Sequence, residues 1–306
     1  MRIVIAGAGA VGGYYGAMLF KAGHEVFFIA RGDHLEAIRR DGLTVKSVNG
    51  DFSIRPECGE NSEGFGAAEM VLVCFKAYGT ASTTGLYASS VGPDTAIISL
   101  QNGVDNEPVL ARAFSPSNIL GGIAFIGSEV VSPGIISHTA FGAVSIGEVD
   151  SKPGPRVQKI EKVFLDAGIK CKISENITKD MYQKMVWNTG FNAVCAILDC
   201  SAGEAVRFGP TKKLVKDAML ELIDVAHLEG VELDPELAQR NVSITLEGGR
   251  IIPSMAQDKR NGRRMEIESF NGKVESLGEK HGVKTPVNSA LASVIRFYNF
   301  NLGFDS

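Results

Sequence analysis

The chain has 306 residues, 44% hydrophobic and 22% charged, a balance that supports ordinary buried cores and excludes the charge-rich composition of disordered chains. A formal net charge of −4 argues against nucleic acid or an anionic membrane as partner, since either calls for a surplus of Lys and Arg. Five cysteines (Cys58, Cys74, Cys171, Cys195, Cys200) form an odd number at no metal-ligand spacing, and no apolar run is long enough to span a membrane. The expectation is a soluble cytoplasmic protein with reduced thiols and no metal.

In chain order, Arg2–Ala6 reads as a buried strand, followed by a helix through Lys21, a strand at Glu25–Ala30 and a charged helix around His34–Arg40. This alternation is the grammar of βαβ units and a parallel sheet. Leu43–Val48 and Asp51–Ile54 flank Asn49-Gly50, a two-residue hairpin signal, and read as an addition at the sheet edge. Further buried strands are expected at Met70–Phe75, Thr95–Leu100, Asn118–Ile123, Gly134–His138 and Ala143–Gly147. A helix near Gly154–Ala167 and a last strand at Ile169–Ile173 follow. After Ser174 the pattern changes to helices alone: Ile177–Leu198, Pro210–Glu229, Pro235–Leu246, Pro253–Lys259, Met265–His281 and Thr285–Phe300, with stops at Gly and Pro.

Gly7-Ala8-Gly9-Ala10-Val11-Gly12 fits G-x-G-x-x-G between a predicted strand and a predicted helix, the context that this phosphate-binding turn requires. The first glycine allows the tight turn, the second lets the backbone approach a pyrophosphate, and the third lets helix and strand pack closely. At the end of the second strand, where an NAD enzyme usually carries Asp or Glu, the sequence reads Ala30-Arg31-Gly32. A guanidinium there suits a ribose 2′-phosphate, so NADPH is favoured over NADH; the alternative is a solvated loop cation. The fold class expected is α/β: a Rossmann-like doubly wound domain over residues 1–174 and an all-α domain over 175–306.

Within the largely apolar helix at Ile177–Leu198, Lys184, Asn188 and Asn192 recur every fourth residue and share one face. Each buried polar group left without a partner costs about 1–3 kcal/mol, which a bound ligand would remove. The alternative is an ordinary solvated face, although such a face usually carries more charge. A Lys among amides suits carbonyl reduction, because the oxygen that becomes an alkoxide needs a proton donor, and burial lowers the pKa of Lys toward neutrality. Leu100-Gln101-Asn102-Gly103 and Lys76 lie at predicted strand ends, where α/β sheets bind ligands; the first also fits a plain turn. His24, His34, His138, His227 and His281 fit neither metal nor triad spacing, and no G-x-S-x-G or H-E-x-x-H occurs.

These residues together resemble the ketopantoate reductase (2-dehydropantoate 2-reductase) family over essentially the whole chain. The matching stretches are Gly7–Gly12, Arg31, Phe75-Lys76-Ala77, Gln101-Asn102-Gly103, Lys184 with Asn188 and Asn192, Pro253–Asp258, and Met265-Glu266-Ile267 with Asn271-Gly272. The resemblance implies NADPH-dependent reduction of 2-dehydropantoate to (R)-pantoate, a step of pantothenate and coenzyme A formation, with Lys184 as proton donor. It implies substrate contacts from Asn188, Asn192 and Ser254, and cofactor contacts from Arg31, Lys76, Asn102 and Glu266. It also implies a second domain of the 6-phosphogluconate dehydrogenase C-terminal type, and a homodimer is an assembly it allows. One departure concerns substrate: a Pro-Asn-Gly-like turn of the family reads Cys200-Ser-Ala-Gly-Glu204 here, and Ala202 lacks the amide. A reductase of another 2-oxo acid and a non-catalytic NADPH-sensing module are the alternatives.

Overall fold

Strand β1 (Arg2–Ala6) is buried from Ile3 to Ala6 without interruption, as a strand covered on both faces must be. Its side chains alternate between two cores: Ile3 and Ile5 pack with Leu19, Phe28 and Ile38, and Val4 and Ala6 pack with Tyr87 and Leu110. Each such buried aliphatic or aromatic side chain contributes about 1.5–3 kcal/mol. Helix α1 (Ala10–Lys21) returns the chain to β2 (Glu25–Ile29), which pairs with β1 in parallel, and α2 (Gly32–Asp41) follows. The computed structural model describes residues 1–150, 152–248 and 250–304. The chain divides into two compact units, Met1–Ile177 and Thr178–Ser306.

In the first unit, β3 (Leu43–Ser47) and β4 (Phe52–Ile54) form the expected hairpin, with Gly50 at φ 106° in its turn and β4 at one edge of the sheet. The remaining elements are β5 (Glu57–Gly59), β6 (Ala68–Val73), the short α3 (Thr80–Thr83), β7 (Val91–Ser99), α4 (Asn106–Ala113), β8 (Ile119–Ser132), β9 (Ile135–Glu148), α5 (Pro155–Asp166) and β10 (Lys170–Ile173). Nine strands run in the order β4-β3-β9-β8-β7-β6-β1-β2-β5, and β10 pairs with β9. From β8 to β5 all neighbours are parallel, and chain order reverses at β1, the arrangement of a doubly wound sheet.

The sheet is mixed rather than wholly parallel, because β8 and β9, each 14 residues long, form an antiparallel hairpin. The two separate strands expected at Gly134–His138 and Ala143–Gly147 are therefore one strand with an irregular register opposite Phe125–Ser128. Phe141 at φ 63° and Gly142 at φ 105° carry that irregularity.

Among its described residues the second unit is built of helices and their connecting loops, with no strand: α6 (Ile177–Leu198, beginning in the first unit), α7 (Ala202–Arg207), α8 (Gly209–Leu228), α9 (Leu237–Gly248), α10 (Ser254–Arg260), α11 (Asn271–His281) and α12 (Pro286–Asn301). Helix α6 ends with Asp199 at φ 51° and the Cys200 N–H on the Cys195 carbonyl, a left-handed stop. Lys259 of α10 donates to the Ala196 carbonyl at 2.7 Å, so the end of α6 is tied to α10. The helix expected over Met265–His281 is interrupted: a 3₁₀ turn at Ile267–Ser269 precedes α11. Asn299 explains the break, since its amide takes both the N–H and the carbonyl of Met265, each at 3.0 Å, and withdraws that carbonyl from helical pairing. No helix among the described residues is long and apolar enough to cross a membrane.

Candidate active site

The glycine-rich turn joins β1 to α1 with little slack. Gly7 sits at φ 109°, and a Cβ there would come within 2.9 Å of the Phe75 nitrogen. A Cβ on Gly12 would lie 2.1 Å from the Gly7 carbonyl oxygen, so the third glycine is what lets α1 start against the strand. Gly9 is different: a Cβ there would meet nothing within 4 Å. Gly9 is also the N-cap residue of α1 and makes no side-chain cap. The helix therefore begins beside open space at Gly9, bordered by Ala10 and Val11, both partly exposed.

Arg31 follows β2 as the N-cap residue of α2 and is exposed, with Asp33 in the first turn after it. At the neighbouring strand ends, one hydrogen-bonded network joins the loop after β6 to the loop after β7. Gln101 Nε2 donates to the Phe75 carbonyl at 3.0 Å and to the Thr80 hydroxyl at 2.9 Å. Thr80 donates to Asn106 Oδ1 at 2.9 Å, and Asn106 Nδ2 donates to the Asn102 carbonyl at 2.8 Å. Lys76 and Asn102, both half-buried, are thus carried on loops fixed by Gln101. The turn after β1 and these two loops lie at the carboxyl ends of adjacent parallel strands, the ligand-binding edge of such sheets.

In the second unit, Lys184, Asn188 and Asn192 share a face of α6. Asn192 is fully buried; its Nδ2 donates to the Asn188 carbonyl at 3.2 Å and to Asn188 Oδ1 at 3.1 Å. Its Oδ1 accepts the Met255 N–H at 3.1 Å and the Ser254 hydroxyl at 3.4 Å, capping the start of α10 from a different helix. The partners that the sequence pattern suggested a ligand would supply are, for Asn192, supplied by the chain itself. The same bonds gather Asn188, Asn192 and Ser254 into one group.

Lys184 is half-buried, and burial lowers its pKa to about 8; the charge of buried Glu266 opposes the shift. Glu266 follows Met265 directly, so the Asn299 clamp holds the backbone on which it stands. Ala202 opens α7, fully buried, with its N–H on the Ile251 carbonyl at 2.9 Å. No group of three or more His, Cys, Asp or Glu among the described residues is arranged to hold a metal.

Two contributors escaped the sequence patterns: Asn299 acts on a residue 34 positions away, and His34, whose Nε2 lies 2.9 Å from the Ala8 carbonyl oxygen, on one 26 positions away. Gln101 was singled out at a strand end and in the family stretches, without the network it makes here. Nothing local marks such contacts, apart from a buried amide at a strand end.

Models of the two halves of the ketopantoate reductase PanE/ApbA family match residues 3–151 and 176–299, the second described as its C-terminal part. The chain belongs to the ketopantoate reductase family. This places it among the oxidoreductases. The 2-dehydropantoate 2-reductase of Archaeoglobus fulgidus is 31% identical over 296 residues, 96% of this chain and 97% of that protein. That of Halobacterium salinarum is 29% identical over 303 residues, covering 97% and 98%. Among solved structures, the 2-dehydropantoate 2-reductase of Geobacter metallireducens superposes with a TM-score of 0.91 at 33% identity, covering 97% of this ketopantoate reductase-family chain and 99% of that one. A ternary structure of D-mandelate dehydrogenase with NADH and anilino(oxo)acetate also matches with a TM-score of 0.91, at 28% identity over 99% and 100% of the two chains.

Proposed function

We propose that this chain uses NADPH to reduce the 2-oxo group of 2-dehydropantoate, giving (R)-pantoate. Lys184 carries this reading: a lysine whose pKa burial brings to about 8 can be protonated at neutral pH and still release its proton. In this assignment residues 1–174 bind the cofactor and residues 175–306 bind substrate and supply the acid.

The open approach at Gly9 and the helix start behind it suit a pyrophosphate, so the backbone of Gly7, Ala8, Gly9, Ala10, Val11 and Gly12 would hold that part of NADPH. Arg31 would pair with the 2′-phosphate, and Lys76, Asn102 and Glu266 would make further cofactor contacts. When bound, the nicotinamide supplies hydride to the carbonyl carbon. Lys184 holds its Nζ proton for the carbonyl oxygen and transfers it as negative charge develops there. Asn188 and Ser254 hold the carboxylate and hydroxyl groups of the substrate, and Asn192, whose amide is taken up by the chain, keeps the two in register rather than touching substrate itself.

Arg31 gives the test of cofactor choice. Arg31→Ala weakens NADPH binding by about 10–100-fold, the loss expected for hydrogen bonds to a charged group, and leaves NADH binding within about twofold. Titration of both dinucleotides against NADPH fluorescence measures this. Equal losses for the two would remove the 2′-phosphate assignment. The second reading, a reductase of a different 2-oxo acid, is favoured by Ala202 and by the likeness to a D-mandelate dehydrogenase.

A further inference from the structure

The glycine-rich turn is fastened from outside its motif. His34, in the first turn of α2, places Nε2 2.9 Å from the Ala8 carbonyl oxygen. The N–H of Gly134, in the turn between β8 and β9, reaches its Nδ1 at 3.1 Å. An amide N–H only donates, so Nδ1 accepts; the ring proton then sits on Nε2 and is donated to Ala8. Burial holds this imidazole below its usual pKa, which keeps the neutral ring that the two opposed bonds require, while the bond to Ala8 pulls the other way.

The bond to Ala8 has a consequence for the next peptide group. No described peptide bond is cis, and across a planar trans peptide the carbonyl and the following N–H point in opposite directions. Ala8 is already held through its own N–H, which donates to the Ile29 carbonyl at 2.8 Å. That bond fixes the preceding Gly7–Ala8 peptide plane, and the bond from His34 to the Ala8 carbonyl fixes the Ala8–Gly9 plane that follows. The Gly9 N–H is thereby turned away from His34, at the residue whose Cβ position is open.

We propose that His34 is a positioning residue for the dinucleotide pyrophosphate: by holding the Ala8 carbonyl it aims the Gly9 N–H at the anion. The inference rests on the reading that this turn binds NADPH. His34 does not itself touch the cofactor in this account; it acts through one peptide plane. The competing role is plain structural bridging of α2 to the Gly134 turn, which is already tied to the sheet by the Thr44 N–H on the Gly134 carbonyl at 2.9 Å.

Two near-isosteric variants separate these roles. In His34→Gln the amide nitrogen occupies the place of Nε2 and keeps the Ala8 bond; in His34→Asn the amide oxygen takes the place of Nδ1 and keeps the Gly134 bond. His34→Asn weakens both NADPH and NADH binding by about tenfold, since the pyrophosphate is common to the two, and His34→Gln stays within about threefold of wild type. Titration by NADPH fluorescence, with thermal unfolding run alongside to establish that both variants fold, reads this out. Wild-type affinity in His34→Asn, or an equal loss in His34→Gln, overturns the positioning role alone. A wild-type protein that binds neither dinucleotide overturns the functional reading and this role with it.

Discussion

Replacing Lys184 with Met lowers kcat by about 10²–10⁴-fold, the range for loss of a positioned general acid, and leaves NADPH affinity within about threefold. The methionine keeps the length and apolar contacts of the stem and removes the transferable proton. The pH dependence follows from the same group. In the proposed role Lys184 acts as the acid only when protonated, and its pKa is lowered to about 8, so kcat for reduction is expected to hold below that pH and fall above it, approaching a tenfold loss per unit. Oxidation of the hydroxy acid requires the neutral amine and rises through the same pH. Because Glu266 opposes the lowering, Glu266→Gln moves both limbs to lower pH. A profile that is flat around pH 8, or a Lys184→Met enzyme with wild-type turnover, contradicts the assignment.

Alanine at Gly12 and alanine at Gly9 separate fold from ligand. At Gly12 the new methyl meets the Gly7 carbonyl oxygen at 2.1 Å and the Ile5 and Cys74 side chains at 2.9 Å, and the backbone oxygen has no flexible end to move. Overpacking of this kind costs about 1–3 kcal/mol or more, so Gly12→Ala lowers the melting temperature by several degrees. NADPH binding falls with it. Gly9 has φ −70° and ψ −160°, which any L residue adopts, and open space around its Cβ position. Gly9→Ala is therefore expected to keep the wild-type melting temperature and lose NADPH affinity by roughly tenfold or more, because the methyl stands in the approach proposed for the pyrophosphate. Thermal unfolding and cofactor titration on the two variants check this; a Gly9→Ala protein with unchanged affinity argues against cofactor at this turn.

The architecture was legible wherever a local rule was strong. The glycine-rich turn identified the strand before it and the helix after it, and α6 spans Ile177–Leu198 as the apolar run between Ser174 and Asp199 suggested. Other elements depended on partners remote in sequence. β9 reads as two strands because Phe141-Gly142 looks like a stop, and only pairing with the long β8 carries the strand across it. The start of α11 is set by Asn299, on another helix. Helix α7 was missed although its signal is local: Ser201 and Glu204 form a capping box, with the Ser201 N–H donating to the Glu204 carboxylate at 2.8 Å.

The site divides in the same way. Residue type and spacing pointed to Lys184, Asn188 and Asn192, while Ser254 and Glu266 entered through family resemblance alone. Spacing could not say that Asn192 spends its amide oxygen on Ser254 and Met255, because those bonds cross more than sixty positions of sequence. Nor could it assign His34, whose two partners lie 26 and 100 residues away.

The most direct measurement is the rate of NADPH oxidation with 2-dehydropantoate beside alkyl- and aryl-substituted 2-oxo acids, repeated with NADH. The highest kcat/KM is expected for 2-dehydropantoate with NADPH. Turnover of another 2-oxo acid with none of 2-dehydropantoate contradicts the substrate assignment, and NADPH binding without turnover of any contradicts the catalytic role of Lys184.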